Sequence, residues 1–102
     1  MAVYFGEIDT FPKAKADKKQ VCKILEESAE VFSAWEDYEF QCANPAWSDE
    51  IVIARDLLLD ECADVLQAIA NMVSALGVKN FTLYVEACER RNRERGRYDA
   101  RG

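Results

Sequence analysis

An all-α fold is predicted for this chain by three observations. Apolar residues recur every three or four positions through most of residues 17–95, the period of a helix buried along one side. Helix breakers are few there: Asn44-Pro45, Gly77 and Gly96, with long uninterrupted segments between them. Beyond the first dozen residues no stretch reads as a strand. The expected architecture is an antiparallel helical bundle. A chain of 102 residues buries a limited share of its surface. The bundle is therefore expected to be completed by oligomerisation, as a homodimer or homotetramer with closed symmetry.

Each element follows from local chemistry. Residues 1–12 (MAVYFGEIDTFP) are mixed in character and closed by Pro12, and read as an extended arm. The first helix is expected from about Asp17 to about Phe40. Stepping its residues by 100° gathers Val21, Ile24, Leu25, Ser28, Val31, Phe32, Trp35 and Tyr38 on one broad side. Lys23, Glu26, Glu27, Glu30 and Asp37 fall on the other. Residues 42–48 (CANPAWS) break the pattern, with Ser48 as a candidate N-cap. A second helix is expected from about Asp49 to Leu76, stopped by Gly77. A third should run from about Lys79 or Asn80 to Arg95, stopped by Gly96.

Composition narrows the chemistry. The net charge of −6 argues against nonspecific binding to nucleic acid or to an anionic membrane surface. No apolar run reaches the length of a membrane span, and no signal peptide is read at the N-terminus. The expected location is cytoplasmic. Cys22, Cys42, Cys62 and Cys88 show no C-x-x-C spacing and are read as reduced thiols, with Cys62 and Cys88 as helix-packing residues. Histidine is absent altogether, which removes the commonest general base and transition-metal ligand. A di-iron bundle built on Glu-x-x-His pairs is thereby excluded.

Two acidic clusters stand out. Glu26-Glu27-x-x-Glu30 lies in the first helix and Glu61-x-x-Asp64 in the second. At these spacings the acids of each cluster share a helix face and repel. On the second helix Glu61 falls between Val65, Ala68 and Met72, inside the apolar sector, where a carboxylate needs a neutralising partner. One reading is a salt bridge to a neighbouring helix, with the first cluster simply solvated. The other is that both clusters converge across antiparallel helices and hold a divalent cation through oxygen ligands. A third feature is the basic run Arg90, Arg91, Arg93, Arg95, Arg97 and Arg101. It reads either as a solvated, frayed end or as a phosphate-contacting segment.

At these residues the chain resembles the MazG-like nucleotide pyrophosphohydrolases, the all-α superfamily that includes phosphoribosyl-ATP pyrophosphohydrolases and dimeric dUTPases. That superfamily is marked by E-E-x-x-E followed by E-x-x-D. The matching stretches are KILEESAEVFSAW (23–35) and LLLDECADVLQAIANM (57–72), and RRNRERGRY (90–98) resembles the basic segment after the third helix. Residues 31–60 separate the two motifs, a long interval for the family. The organisation implied is an arm at 1–16, a MazG-like helical domain at 17–96 and a tail at 97–102.

The resemblance implies roles residue by residue. Glu27, Glu30, Glu61 and Asp64 would ligate Mg2+, or alternatively Mn2+. Glu26 would be a further ligand or would orient the attacking water, and Glu26 and Glu27 are the catalytic candidates. Lys23, Asn92 and Arg95 would lie near the phosphates of a nucleoside triphosphate. The implied reaction splits the α–β phosphoanhydride into a nucleoside monophosphate and pyrophosphate. No G-x-x-x-x-G-K-[ST] loop is present to cradle phosphates instead. Asn71 could read a base or sugar or could bridge helices. Trp35, Tyr38 and Trp47 could stack on a base, although Trp35 and Tyr38 lie on the apolar side. The alternatives are a phosphoribosyl-ATP pyrophosphohydrolase, a dUTPase-like enzyme, or a non-catalytic helical assembly module.

Overall fold

The computed structural model describes residues 1–44 and 48–99. Among these residues all regular structure is helical: α1 spans Lys18–Ala43, α2 Ser48–Ala75 and α3 Thr82–Glu94. Asp17 caps α1, its side chain accepting from the Gln20 N–H at 2.9 Å. The helix continues one turn beyond the expected Phe40. Asn44 ends it, its backbone N–H donating to the Gln41 carbonyl. Ser48 is the first residue of α2 rather than its cap, and Trp47 lies outside the described residues. Gly77 closes α2 at φ +85, a left-handed conformation that glycine adopts without a Cβ penalty. Gly77 N–H returns to Ser74 O and Val78 N–H to Val73 O, the paired bonds of a Schellman stop. Asn80 Oδ1 accepts from Thr82 N–H, and α3 starts there, two or three residues later than expected.

α1 and α2 form an antiparallel hairpin. On α1 the less exposed residues are Ile24, Glu27, Val31, Ala34 and Tyr38, alternately three and four apart. On α2 one stripe of less exposed residues, Ala54, Leu58, Glu61, Val65, Ala68 and Met72, shows the same alternation, while Gln67 and Asn71 beside it are covered where the arm bonds to them. This is the seam spacing of a coiled-coil pair. Gln20 fixes the register near one end, its Nε2 donating to the Ala68 carbonyl at 2.9 Å.

The N-terminal arm lies against α2. Gln67 Nε2 donates to the Asp9 carbonyl, Phe11 N–H donates to Asn71 Oδ1, and Thr10 Oγ1 donates to Ser74 Oγ. Further back along the arm, Phe5 reaches an open groove of about 410 Å³ with Ser28, Val31, Cys62, Val65 and Leu66.

α3 packs against neither α1 nor α2. The chain is accordingly extended, with a radius of gyration of 16.7 Å, against about 13 Å for a compact domain of this length. The antiparallel pairing is therefore present, but one chain supplies a two-helix hairpin rather than a bundle. Ala54 and Ala68 are the only buried hydrophobic residues among those described. Cys62 and Cys88 do not pack between helices as expected. All four thiols are exposed, because the faces that carry them have no covering helix within the chain.

Candidate metal centre

The seam carries two carboxylates. Glu27 was expected on the polar side of α1, but it is 8% exposed and is the only buried residue of that helix. The reason is the choice of stripe. α1 turns Ile24, Glu27 and Val31 to α2, not the more strongly apolar side centred on Leu25 and Phe32. Lys23, one turn earlier, offsets the cost of burial: its Nζ lies 2.9 Å from Glu27 Oε1 and 3.9 Å from Glu26 Oε2. The Lys23 ammonium is accordingly held above its ordinary value, first by its hydrogen bond to Glu27 and then by that residue's negative charge.

Opposite Glu27, α2 presents Glu61 from the apolar sector, as its wheel position requires. Glu61 Oε2 is buried and has no hydrogen-bond partner. Its carboxyl is pushed above the ordinary carboxylate range, first by burial, then by a hydrogen bond with Glu30 and by the negative charges of Glu30, Asp64 and Glu27. Glu27, Glu61 and Asp64 each place a carboxylate oxygen within 4.8 Å of the others. A hard cation bridges distances of this size: oxygens on opposite sides of Mg2+ lie about 4 Å apart, and of Ca2+ about 5 Å. A divalent cation here would partner the unbonded Oε2 and offset the repulsion that now favours a proton on Glu61. The donor set, oxygen only, fits magnesium, manganese or calcium rather than zinc or copper.

The other candidates are placed as follows. Glu30, expected as a fourth ligand, is exposed and is not among the three acids whose oxygens converge, although its charge helps to raise Glu61. Glu26 faces outward, with its side chain 67% exposed and near Lys23. Asn71, two turns beyond Asp64 on α2, is not part of the cation-sized site and instead bonds the N-terminal arm. It is 3% exposed, and its Oδ1 accepts from the Phe11 backbone and from Gln67 Nε2, so it fastens the arm. Trp35 and Tyr38 pack on each other with ring centroids 5.6 Å apart, Trp35 remaining 45% exposed. Gln20 and Gln67 were not anticipated. Gln67 lies one turn before Asn71 on the same helix face, a local signal, whereas the partner of Gln20 is 48 residues away and left none.

Within residues 90–99 the arginine segment folds back on the end of α3. Gly96, at φ +72, gives α3 a Schellman stop, with Gly96 N–H to Arg93 O and Arg97 N–H to Asn92 O. The Arg97 guanidinium donates to Asn92 Oδ1 at 3.1 Å, and Arg93 lies 4.9 Å over the Tyr98 ring. Arg97 is thus folded back rather than frayed, while Arg101 lies outside the described residues. Because α3 stands apart from the hairpin, one chain does not bring Asn92 and Arg95 to the carboxylates. No family model matches the chain, and no curated protein or solved structure matches it either.

Proposed function

We propose that the chain is a magnesium-dependent nucleoside triphosphate pyrophosphohydrolase, working as a homodimer or homotetramer. The observation that carries this reading is the convergence of Glu27, Glu61 and Asp64 around a buried, unpartnered Glu61 oxygen. The E-E-x-x-E and E-x-x-D motifs of the MazG-like enzymes fall on these same residues, which supports it further. Glu27, Glu30, Glu61 and Asp64 would hold Mg2+ or Mn2+. When bound, the cation supplies the positive charge that lets a triphosphate approach a cluster of acids and favours ionisation of a nearby water. Glu26, outward-facing beside the cluster, orients the attacking water and accepts its proton. Lys23, and Arg95 once it is brought near, neutralise the departing pyrophosphate, and Asn92 donates a hydrogen bond to it. The water oxygen bonds to the α-phosphorus as its bond to the α–β bridging oxygen breaks.

A second reading, a non-catalytic assembly module, is favoured by the exposed apolar faces of all three helices. It leaves the inward Glu61 without a purpose. One experiment separates the two. The chain is incubated with Mg2+ or Mn2+ and a panel of nucleoside triphosphates, including dUTP and phosphoribosyl-ATP, and products are read by 31P NMR. Monophosphate and pyrophosphate are expected. Diphosphate with orthophosphate, or no turnover with any substrate, overturns the proposal.

A further inference from the structure

Five of the six lysines lie between residues 13 and 23, in a chain whose net charge is −6. Before Lys79 the only other lysine or arginine is Arg55. Helix geometry decides which of these cations share a side with the acids. Counted from Glu27 in helical steps, Lys23, Glu30 and Lys19 turn about 40°, 60° and 80° to one side of the seam. Lys18 falls on the back of α1, about 180° from Glu27. Counted from Glu61, Leu57, Asp64 and Ile53 turn about 40°, 60° and 80° in that same sense. In an antiparallel pair, turns of one sense reach one side of the hairpin. The open groove obeys the same rule, since Ser28 and Cys62, each turned about 100° the other way, line it together on the opposite side.

The acidic side therefore carries three zones in order. The carboxylates stand in the middle. Lys23 and Lys19 precede Glu27 by one and two turns, about 6 and 12 Å along α1. Leu57 and Ile53 precede Glu61 by the same intervals along α2 and, because the helices run oppositely, lie at the other end. Both are 51% exposed. Arg55 brings no charge to that end, being turned about 120° the other way and paired with Asp56. Lys23 is engaged with Glu27 and Glu26, whereas Lys19 is exposed and makes no ion pair among the described residues. The arm reinforces the basic end. Phe11 is fastened to Asn71, which turns to the acidic side, and Lys13 follows two residues later.

We infer that the nucleotide lies along this face with its polyphosphate toward the start of α1, Lys19 binding the terminal phosphate beyond Lys23. This rests on the pyrophosphohydrolase reading and adds to it a substrate direction and a phosphate-binding residue. A nucleoside triphosphate carries its charge at one end and its base at the other, with the scissile linkage between. Cations, acids and open apolar side chains follow one another here in the same order. Lys19 meets a need that the other cations leave: Lys23 is shared with Glu27, and α3 does not bring its arginines to the hairpin within one chain. A free ammonium takes a phosphate oxygen without first giving up a carboxylate.

Calorimetric titration of the full chain with inorganic pyrophosphate in Mg2+ tests the assignment, because it reads binding without turnover. Lys19→Gln is expected to weaken pyrophosphate binding at least about tenfold, the loss of one charge-assisted contact. Lys19→Arg keeps the charge and keeps binding. Lys18→Gln removes the same charge from the back of the helix and leaves affinity unchanged. Mg2+ titrated alone binds wild type and Lys19→Gln alike, since Lys19 pairs with none of the acids. On a nucleotide that the chain hydrolyses, Lys19→Gln relieves inhibition by pyrophosphate and not by the monophosphate product. Absence of pyrophosphate binding in wild type, equal affinity in Lys19→Gln, an equal loss in Lys18→Gln, or relief of monophosphate inhibition instead overturns the assignment. Pyrophosphate binding that depends on Lys19 in a chain that hydrolyses no nucleotide upholds the phosphate site and removes the pyrophosphohydrolase. Turnover together with equal pyrophosphate affinity in wild type and Lys19→Gln does the reverse.

Discussion

Replacing Asn71 by alanine separates a structural role from a substrate role. Asn71 is 3% exposed, and its Oδ1 accepts from Phe11 N–H and from Gln67 Nε2, each at 3.0 Å. A hydrogen bond of this kind contributes about 0.5–1.5 kcal/mol net, so losing both costs about 2 kcal/mol. For a chain of this size each kcal/mol moves Tm by about 4–8 °C, so a fall of about 10 °C is expected at fixed protein concentration. The damage is also local. Residues 9–11 are tied to α2 by Gln67, Asn71 and Ser74, and the substitution removes one tie and takes a partner from a second. The Phe11 amide, slow to exchange in the wild type, should approach the rate of an unstructured chain. Thermal unfolding followed by circular dichroism reads the first effect, and hydrogen exchange over residues 1–16 reads the second. A Tm within about 2 °C of wild type, with the arm still protected, would refute the reasoning. If Tm is unchanged and KM for nucleotide rises, Asn71 reads substrate instead.

Glu61→Gln is expected to abolish the Mg2+-induced rise in Tm and to lower turnover by orders of magnitude. The metal-free protein should be at least as stable as wild type, because repulsion with Glu30, Asp64 and Glu27 is relieved; thermal shift with and without Mg2+ decides. The same carboxyl sets a pH dependence. Its folded-state value lies above the unfolded one, so its contribution is complete below the unfolded carboxylate value and is lost as pH rises through the raised folded value. In EDTA, the urea midpoint of wild type should therefore drop more than that of Glu61→Gln as pH rises over that window, and equal slopes would count against a raised Glu61. Ending the chain at Glu89 should leave hairpin helicity and the Mg2+ response intact, since α3 does not pack on the hairpin. Arg95→Ala should raise KM for nucleotide by about tenfold through loss of a charge-assisted contact, and an unchanged KM would remove Asn92 and Arg95 from the substrate site.

The helices and their ends were legible in the sequence because they are set by neighbours in the chain. Asp17 caps α1 through a bond three residues away. Gly77 and Gly96 stop α2 and α3 at positive φ, where other residues are disfavoured. The inward position of Glu61 was legible for the same kind of reason, since its apolar neighbours lie one turn away on the same helix. Asn80 shifted the start of α3 because an Asx turn competes locally with the helix it precedes.

By itself, then, the sequence determined the helical class, the stop signals and the carboxylates that share each helix face, all of which depend on contacts within one turn. Only the tertiary structure decided which stripe of α1 meets α2. That helix carries two stripes about 100° apart, and its own periodicity does not rank them. The choice turned Glu27 from the polar side into the seam and brought it to Glu61 and Asp64. Long-range partners also decided that Asn71 and Gln67 hold the arm, through bonds from Phe11 and to Asp9 about sixty residues away. The separation of α3 belongs to the same category: an amphipathic helix encodes that it needs a partner, but the shape of the surface it meets decides which one.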